Sequence, residues 1–430
     1  MDIALELLRH TGLAAVRLFM QPFYYMTVLF IILLLARQTR TERRLFHVKL
    51  TSWPKQIVPA VVAGLLAGLF ISAMSLFIGF AFTNETVYWL WGAAVVLVFI
   101  RIRYFCIAYS AAVIALLSVI AGLFSGSLDN GQWYGAALES LAEQDGAALL
   151  LLAGLLHMME ALLLRWQGDY AAGALIVEGK RGLLVGGYQL PAFWPVPMLL
   201  LVPASSASAI AELSWTPGLA YSSGYSGSWT MLALPVVVGF SSLATSRLPR
   251  AKARKLAGSQ LYYSVGLIAA ALLAVWWEPL VAAAAAAAFV CHELIYYLEL
   301  RREEQASPVF VHDAQGLRVL AVVPGMPADQ MGIQTGEILH KVNGTRVRTT
   351  EDLYNGLQVN SAFCKMEIIN HEGHVKFVQR ARFEGEHHQL GVVLAPDEGA
   401  PHVAGRLAAS LVDLLRGRRM TRRRETTVTM

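Results

Sequence analysis

Charged residues are scarce in this chain of 430 residues. Aspartate, glutamate, lysine and arginine together make up 15% of the sequence, whereas soluble domains contain roughly a quarter. Hydrophobic residues make up 56%, and the mean hydropathy is +0.50. This composition excludes a large soluble protein and predicts a membrane protein that crosses the bilayer several times.

Cysteine is also rare. The three cysteines, Cys106, Cys291 and Cys364, are far apart and form no Cys-x-x-Cys pair, so the sequence implies no disulfide framework. We expect them to pack as small hydrophobic side chains. The net charge of +5 is modest, and the excess basic residues lie in loops and in the C-terminal tail. This distribution favours contact with anionic lipid over contact with nucleic acid.

Complete catalytic motifs are absent. A zinc-dependent intramembrane protease needs His-Glu-x-x-His on a helix, so that two imidazoles one turn apart bind the metal. The sequence has His292-Glu293 in its last apolar segment, but Tyr296 stands where the second histidine is required. Gly224-Tyr225-Ser226-Gly227 resembles the serine motif of rhomboid-type proteases, but it lies in a polar segment rich in glycine and serine. We therefore predict no enzyme activity, no metal and no cofactor.

Ionisable residues inside apolar segments are functional candidates in membrane proteins. His157 and Glu160 lie one turn apart near the end of one segment, and His292 and Glu293 lie near the end of the last. No segment carries a charge pair at its centre, so we expect these side chains to anchor helices at the membrane interface. A transporter with a sensing domain is the alternative.

The apolar segments predict a polytopic membrane region over residues 1–300, with about eight helices. An amphipathic helix over the first twenty residues, interrupted at Gln21-Pro22, precedes them. The predicted spans are Phe23 to Ala36, Ile57 to Phe82, Val87 to Ile100, Phe105 to Phe124, Ala147 to Leu164, Phe193 to Ile210, Met231 to Ala244, Leu261 to Trp277 and Pro279 to Leu298. Between Arg165 and Pro191, Gly179 and Gly182 predict a turn between two short strands.

Basic residues occupy alternate loops, which the positive-inside rule places in the cytoplasm. These loops carry Arg37 to Lys55, Arg101 and Arg103, Arg165 to Arg181, Arg247 to Lys255, and Arg301 and Arg302. The segment that follows Arg302 is therefore predicted to be cytoplasmic.

That segment, Ser307 to Pro396, has the turn chemistry of a small soluble domain. Pro324-Gly325 and Asn343-Gly344 are turn signals, and the alternation from Ile338 to Val342 predicts a strand. Gly332 and Gly336 lie where positive φ is expected. The order of Pro-Gly-x-Pro-Ala, Gly-Ile-x-x-Gly-Glu-x-Leu and Val-Asn-Gly resembles a bacterial PDZ domain, which we place over residues 305–396.

The PDZ resemblance implies a groove in which an extended peptide pairs with a strand beside a helix. The helix is predicted over Thr350 to Val359, capped by Thr349 or Thr350. The strand signature appears late in the domain, so the domain resembles the circularly permuted bacterial form. The expected peptide-binding residues are Leu390, Gly391, Val392, Val393, Leu394, Leu353, Tyr354 and Leu357.

The tail over residues 397–430 differs in composition from the rest. Val403, Leu407, Leu411, Leu414 and Leu415 recur at helical spacing. A basic cluster follows, and we expect it to contact anionic lipid at about 1 kcal/mol for each basic residue. The cluster comprises Arg418, Arg419, Arg422, Arg423 and Arg424.

The full layout is an α-helical polytopic region, one permuted α+β PDZ domain and a basic tail. It resembles the MinJ family of topological determinants of cell division in Gram-positive rods. That resemblance implies a membrane adaptor, enriched at septa and poles, which links a DivIVA-like polar protein to a MinD-like protein and other membrane division proteins. The sequence leaves open whether the chain forms homo-oligomers. The alternative is a protein related to intramembrane proteases, or a PDZ-bearing regulator of one.

Overall fold

A computed structural model describes residues 3–124, 133–204, 217–219, 227–360, 362–381, 390–397, 402–403 and 421–422. Its helices are α1 (Ile3–Met20), α2 (Pro22–Phe46), α3 (Trp53–Ile78), α4 (Asn84–Ile100), α5 (Ile107–Phe124), α6 (Trp133–Ala142), α7 (Gly146–Gln167), α8 (Pro249–Trp276), α9 (Leu280–Gln305), α10 (Pro327–Gln330) and α11 (Thr350–Gln358). Its strands are β1 (Gly173–Glu178), β2 (Leu184–Pro203), β3 (Trp229–Ala244), β4 (Leu317–Val322), β5 (Ile338–Val342), β6 (Thr345–Arg346), β7 (Phe363–Ile369), β8 (Val375–Ala381), β9 (Val392–Leu394), β10 (His402–Val403) and β11 (Thr421–Arg422).

The helices of the N-terminal region are those of a multi-pass membrane protein. Among the described residues, six helices are long and apolar enough to cross a membrane: α2, α3, α5, α7, α8 and α9. Helix α4 is apolar but shorter. Seven of the predicted spans coincide with these helices, and the predicted amphipathic helix is α1, which ends at Met20 before Gln21-Pro22.

Two predicted helical spans are wrong. The segment from Phe193 lies in β2, and the segment from Met231 lies in β3; the two strands pair antiparallel over sixteen residue pairs, from Tyr188↔Ala244 to Pro203↔Trp229. Residues 205–210 of the first predicted span lie outside the described residues. The prolines of β2 explain the difference, because one proline in a helix interior costs about 3 kcal/mol.

Helix α3 covers the edge of β2 that β3 leaves open. The ring of Pro195 contributes no N–H to this edge, and its carbonyl oxygen lies against Gly64, where a β-carbon would overlap it. Further along, Ser72 Oγ accepts a hydrogen bond of 2.8 Å from Leu199 N, and Ser75 Oγ donates one of 3.1 Å to Leu199 O. These side chains of α3 therefore supply hydrogen-bond partners for backbone groups of β2 that no strand pairs with, as burial in an apolar region requires.

The predicted turn before β2 is confirmed. Strand β1 pairs with the start of β2 from Gly173↔Gln189 to Glu178↔Leu184. Gly179 N donates to Leu183 O at 2.7 Å, and Gly182 has a φ of +74°.

The ionisable residues of the spans are not at an interface, and this expectation is corrected. His157 and Glu160 are 2% and 0% exposed and lie inside the helical bundle. His292 and Glu293 stand at the middle of α9, because this helix continues to Gln305. Arg103, predicted in a solvent-facing loop, forms an ion pair with Glu293, and its side chain is only 11% exposed.

The C-terminal sheet has the strand order β8-β7-β5-β4-β9, with β6 paired to β5. Its local predictions are confirmed: β5 covers Ile338–Val342, and Gly325, Gly332 and Gly336 have φ values of +79°, +69° and +88°. Asn343 and Gly344 also have positive φ, as a tight turn between β5 and β6 requires.

This sheet packs against the base of the β2–β3 hairpin. Leu320 of β4 shares one buried cluster with Tyr188, Leu190 and Phe310. Gly186 N donates to Phe310 O at 3.0 Å, and Val309 N donates to Thr245 O at 2.8 Å. The segment that connects α9 to the sheet therefore continues the hairpin's hydrogen bonding.

In the tail, β10 pairs antiparallel with β11, His402 with Arg422 and Val403 with Thr421. The predicted helix is wrong at Val403, because this residue lies in β10. The rest of the predicted helix and the basic residues other than Arg422 lie outside the described residues.

Candidate peptide-binding groove

Strand β9 is the last strand of its sheet. It pairs on one side with β4, through Val319↔Leu394, Ala321↔Val393 and Val322↔Val392. Its other side has no strand beside it among the described residues. An edge strand of this kind can accept an added peptide strand through main-chain hydrogen bonds.

Gly391 shapes the entry to β9. Its φ is +79°, and a β-carbon at this position would overlap the side chain of Met326. Its carbonyl oxygen accepts a hydrogen bond of 2.8 Å from Val323 N, and the carbonyl oxygen of Leu390 accepts one of 2.9 Å from Ala328 N. These bonds hold the loop before β9 against the turn and short helix that follow β4.

Helix α11 is fixed at its N-terminus by a capping box. The Thr349 hydroxyl accepts a hydrogen bond of 3.1 Å from Asp352 N, and the Asp352 carboxylate accepts from Arg348 N and Thr349 N at 3.0 and 2.9 Å. Hydrogen bonds from these backbone amides hold the pKa of Asp352 below its usual value. Thr350 Oγ1 lies 3.3 Å from Asp397 Oδ2, which ties the start of α11 to the chain just after β9.

Most of the predicted groove residues meet in one place. The buried Leu353 and Leu357 of α11 belong to the same apolar cluster as the partly buried Leu390, Val392 and Leu394. The alternation of strand side chains turns Val393 to the opposite face, where it packs against the cluster that contains Tyr188 and Phe310. Tyr354 is 55% exposed on α11.

This arrangement suits the capture of an extended, partly apolar segment. The edge of β9 that faces away from β4 has no strand beside it among the described residues and offers main-chain donors and acceptors, and the leucines of α11 and β9 supply an apolar floor. Recognition of this kind needs neither a metal nor a cofactor.

Comparison with known proteins gives two levels of similarity. A model of the PDZ domain family matches residues 318–365, from β4 into β7. The cell division topological determinant MinJ of Bacillus subtilis (strain 168) is 27% identical over 402 residues, which are 92% of this chain and 96% of that protein. The chain is MinJ-like over nearly its whole length. No solved structure gave a significant match.

A second MinJ relative covers less of the chain. The probable cell division topological determinant MinJ of Lacticaseibacillus paracasei is 27% identical over 304 residues, 67% of this chain and 79% of that protein. Strand β9 of this MinJ-like chain lies beyond the residues that the PDZ model matches.

Sequence reasoning named three ionisable residues of the membrane region but did not place them together with Cys106 and Gln260 in one polar cluster. Cys106, His157, Glu160, Gln260 and His292 are buried together, although they come from widely separated parts of the chain. The only signal was the presence of histidines and a glutamate in apolar segments.

Proposed function

We propose that this chain is a membrane-anchored adaptor that helps to place the division site. The single observation that carries the proposal is the similarity to a protein named as a cell division topological determinant over 92% of this chain. A PDZ domain at the C-terminal side of a multi-pass region supports a role in protein–protein contact.

The partners we propose are a DivIVA-like polar protein, a MinD-like protein and other membrane division proteins. The groove would hold an extended segment of one partner between β9 and α11, and the membrane region would contact another. Confinement to the membrane raises the effective concentration of the groove for membrane-associated partners, so weak peptide contacts suffice. Basic loops beside the PDZ domain support a cytoplasmic location for it.

We propose that the adaptor is not catalytic. Glu293, the residue that would act as the base in a His-Glu-x-x-His protease, is engaged by Arg103 and by the hydroxyl of Tyr109 at 3.0 Å. We also propose that the basic tail contacts anionic lipid and keeps the groove near the membrane.

Localisation in dividing cells tests this function. We expect a fluorescent fusion of the full chain to concentrate at septa and poles, and deletion of the chain to give minicells. A fusion that ends before Ser307 separates the contribution of the PDZ domain from that of the membrane region. Uniform membrane staining together with normal division would overturn the adaptor and favour a regulator of an intramembrane protease.

A further inference from the structure

Five polar side chains from four parts of the membrane region meet in its interior. Cys106 lies in the turn between α4 and α5, His157 and Glu160 lie on α7, Gln260 lies on α8, and His292 lies on α9. Each is at most 4% exposed. Burial of this many polar groups is costly unless every group finds a partner.

Three of the donor atoms are close enough to share one ion. Cys106 Sγ, a ring nitrogen of His157 and a carboxylate oxygen of Glu160 all lie within 4.8 Å of one another. His157 Nδ1 is 2.8 Å from Glu160 Oε2, and the ring centroid of His292 is 4.6 Å from that of His157. Zinc bonds of about 2.0–2.3 Å place donor atoms about 3.3–3.8 Å apart, so side-chain movements of about 1 Å bring the donors of Cys106, His157 and Glu160 to these separations, and the neighbouring His292 ring is placed to supply a fourth ligand.

Two atoms in this cluster have no hydrogen-bond partner in the part of the chain that the structure describes. They are Glu160 Oε1 and His292 Nδ1, and both are buried. An unsatisfied buried polar atom costs about 1–3 kcal/mol. A cation bound by both side chains would supply the missing partner for each atom.

The donor set selects the kind of ion. Thiolate and imidazole ligands suit zinc and disfavour magnesium and calcium, which prefer oxygen. A zinc ion also neutralises the thiolate and the carboxylate that bind it, which removes a net charge from the apolar interior. Gln260 Nε2 donates a hydrogen bond of 3.1 Å to Glu160 Oε2 and so helps to orient this carboxylate.

We propose that Cys106, His157, Glu160 and His292 bind one zinc ion inside the membrane region. The ion would join the α4–α5 turn, α7 and α9, whose ligands Cys106, His157 and His292 are 51 (157 minus 106) and 135 (292 minus 157) positions apart. Its role is structural, because the neighbouring Glu293 is held by Arg103 and Tyr109. This site is independent of the peptide groove.

Zinc content of the purified full-length protein tests the site. The protein is stripped with a chelator, reloaded with zinc and desalted, and its metal is counted by mass spectrometry. We expect about one zinc per chain for the wild type and for Cys291→Ser, which changes an exposed cysteine beside His292. We expect Cys106→Ser and His157→Gln to weaken zinc binding at least tenfold in competition with a chromophoric chelator.

Two spectroscopic readouts keep the test independent of variant folding. Cobalt in place of zinc should give a thiolate-to-cobalt charge-transfer band in the wild type and in Cys291→Ser, but not in Cys106→Ser. X-ray absorption of the zinc-loaded wild type should show one sulfur among nitrogen and oxygen neighbours. A wild type that takes up no zinc, a sulfur-free zinc shell, or equal binding by Cys106→Ser and Cys291→Ser overturns the proposal.

Discussion

The hydroxyl of Tyr188, near the start of β2, donates a hydrogen bond to the carbonyl oxygen of Leu320 in strand β4. One residue belongs to the membrane region and the other to the PDZ domain, and both are buried in the same apolar cluster. The groove strand β9 pairs with β4, and its Val393 packs against this cluster. This contact therefore connects the strand of the candidate groove to the membrane region.

Removal of this hydroxyl should loosen the PDZ domain. Tyr188→Phe leaves the Leu320 carbonyl without its donor, at a cost of about 1–3 kcal/mol for a buried acceptor. We expect faster deuterium exchange at Gly186 and Val309, whose amides bridge the two regions, in the full chain in detergent. Tyr262→Phe is the control, because Tyr262 is 81% exposed. Equal exchange in the two variants would show that the hydroxyl does not hold the contact.

The helix α3 should tolerate no side chain where it covers β2. Gly64→Ala and Gly68→Ala place a methyl group into the carbonyl oxygens of Pro195 and Pro197. We expect each to lower the free energy of unfolding by about 1–3 kcal/mol, as overpacking does, measured by SDS titration. Gly266→Ala in α8 meets open space and should be neutral or stabilising by up to about 1 kcal/mol. If Gly64→Ala and Gly68→Ala change the free energy of unfolding no more than Gly266→Ala does, the close packing of α3 on β2 is contradicted.

The β2–β3 hairpin was not predictable from hydropathy, whereas the PDZ domain was predictable from its turn residues. The turns and strands of the PDZ domain were predictable, because Pro324-Gly325 and Asn343-Gly344 specify local backbone geometry. The segments around Phe193 and Met231 are apolar enough for either a helix or a strand, and hydropathy cannot choose between them. Pro191, Pro195 and Pro197 are at odd-numbered positions, which are two or four residues apart. This spacing puts their missing N–H groups on one edge of a strand and was the usable signal for β2.

The buried polar site could not be predicted from one sequence. Cys106 and His157 are separated by 51 positions (157 minus 106), and the tertiary fold brings the Cys106 sulfur within 4.8 Å of a ring nitrogen of His157. Spacing rules detect ligands that share a helix, such as His157 and Glu160, but not ligands brought together by the tertiary fold.

The loop before the groove strand should be sensitive to one methyl group. Gly391→Ala adds a steric overlap with Met326 to the strain of positive φ, whereas Gly373→Ala in the β7–β8 turn has the same kind of φ, +83°, and open space around it. We expect Gly391→Ala to lose septal and polar enrichment and Gly373→Ala to keep it, in fusions at matched expression. If both variants show the same distribution in the cell, localisation does not depend on the candidate groove.

Lys252 should be more important for stability than its neighbour Lys255. Its ammonium group is buried and lies 3.3 Å from Glu299 and 2.8 Å from Glu303. Lys252→Met leaves two carboxylates near each other in an apolar setting, and loss of one partner from a buried ion pair costs about 3–5 kcal/mol. Lys255→Met removes a 3.7 Å contact of a side chain that is 31% exposed and should cost at most about 1 kcal/mol. SDS titration of both variants checks the order, and equal losses would contradict it.

The PDZ domain should lose stability in mild acid through His312. Burial lowers the pKa of His312, although the Asp397 carboxylate at 3.4 Å acts in the opposite direction. Its Nδ1 accepts a hydrogen bond of 3.1 Å from Arg318 N, and protonation at Nδ1 would break this bond. The unfolded chain binds the proton first, with a pKa of about 6.5, so stability is full above this pH and falls as the pH drops below it.

His312→Asn separates this effect from general acid sensitivity. Asparagine keeps an acceptor for Arg318 N but does not titrate in this range, so the variant should lose less stability between pH of about 7.5 and about 5.5 than the wild type. Hydrogen exchange of β4 amides in the full chain, corrected for the pH dependence of chemical exchange, measures the change. His374→Asn alters a histidine that is 76% exposed and should behave as the wild type does. Ala395 N, just after β9, donates a hydrogen bond of 2.8 Å to Arg318 O, so the same fall in pH should weaken the β9 edge. If His312→Asn keeps the acid response of the wild type, the response belongs to another titrating group.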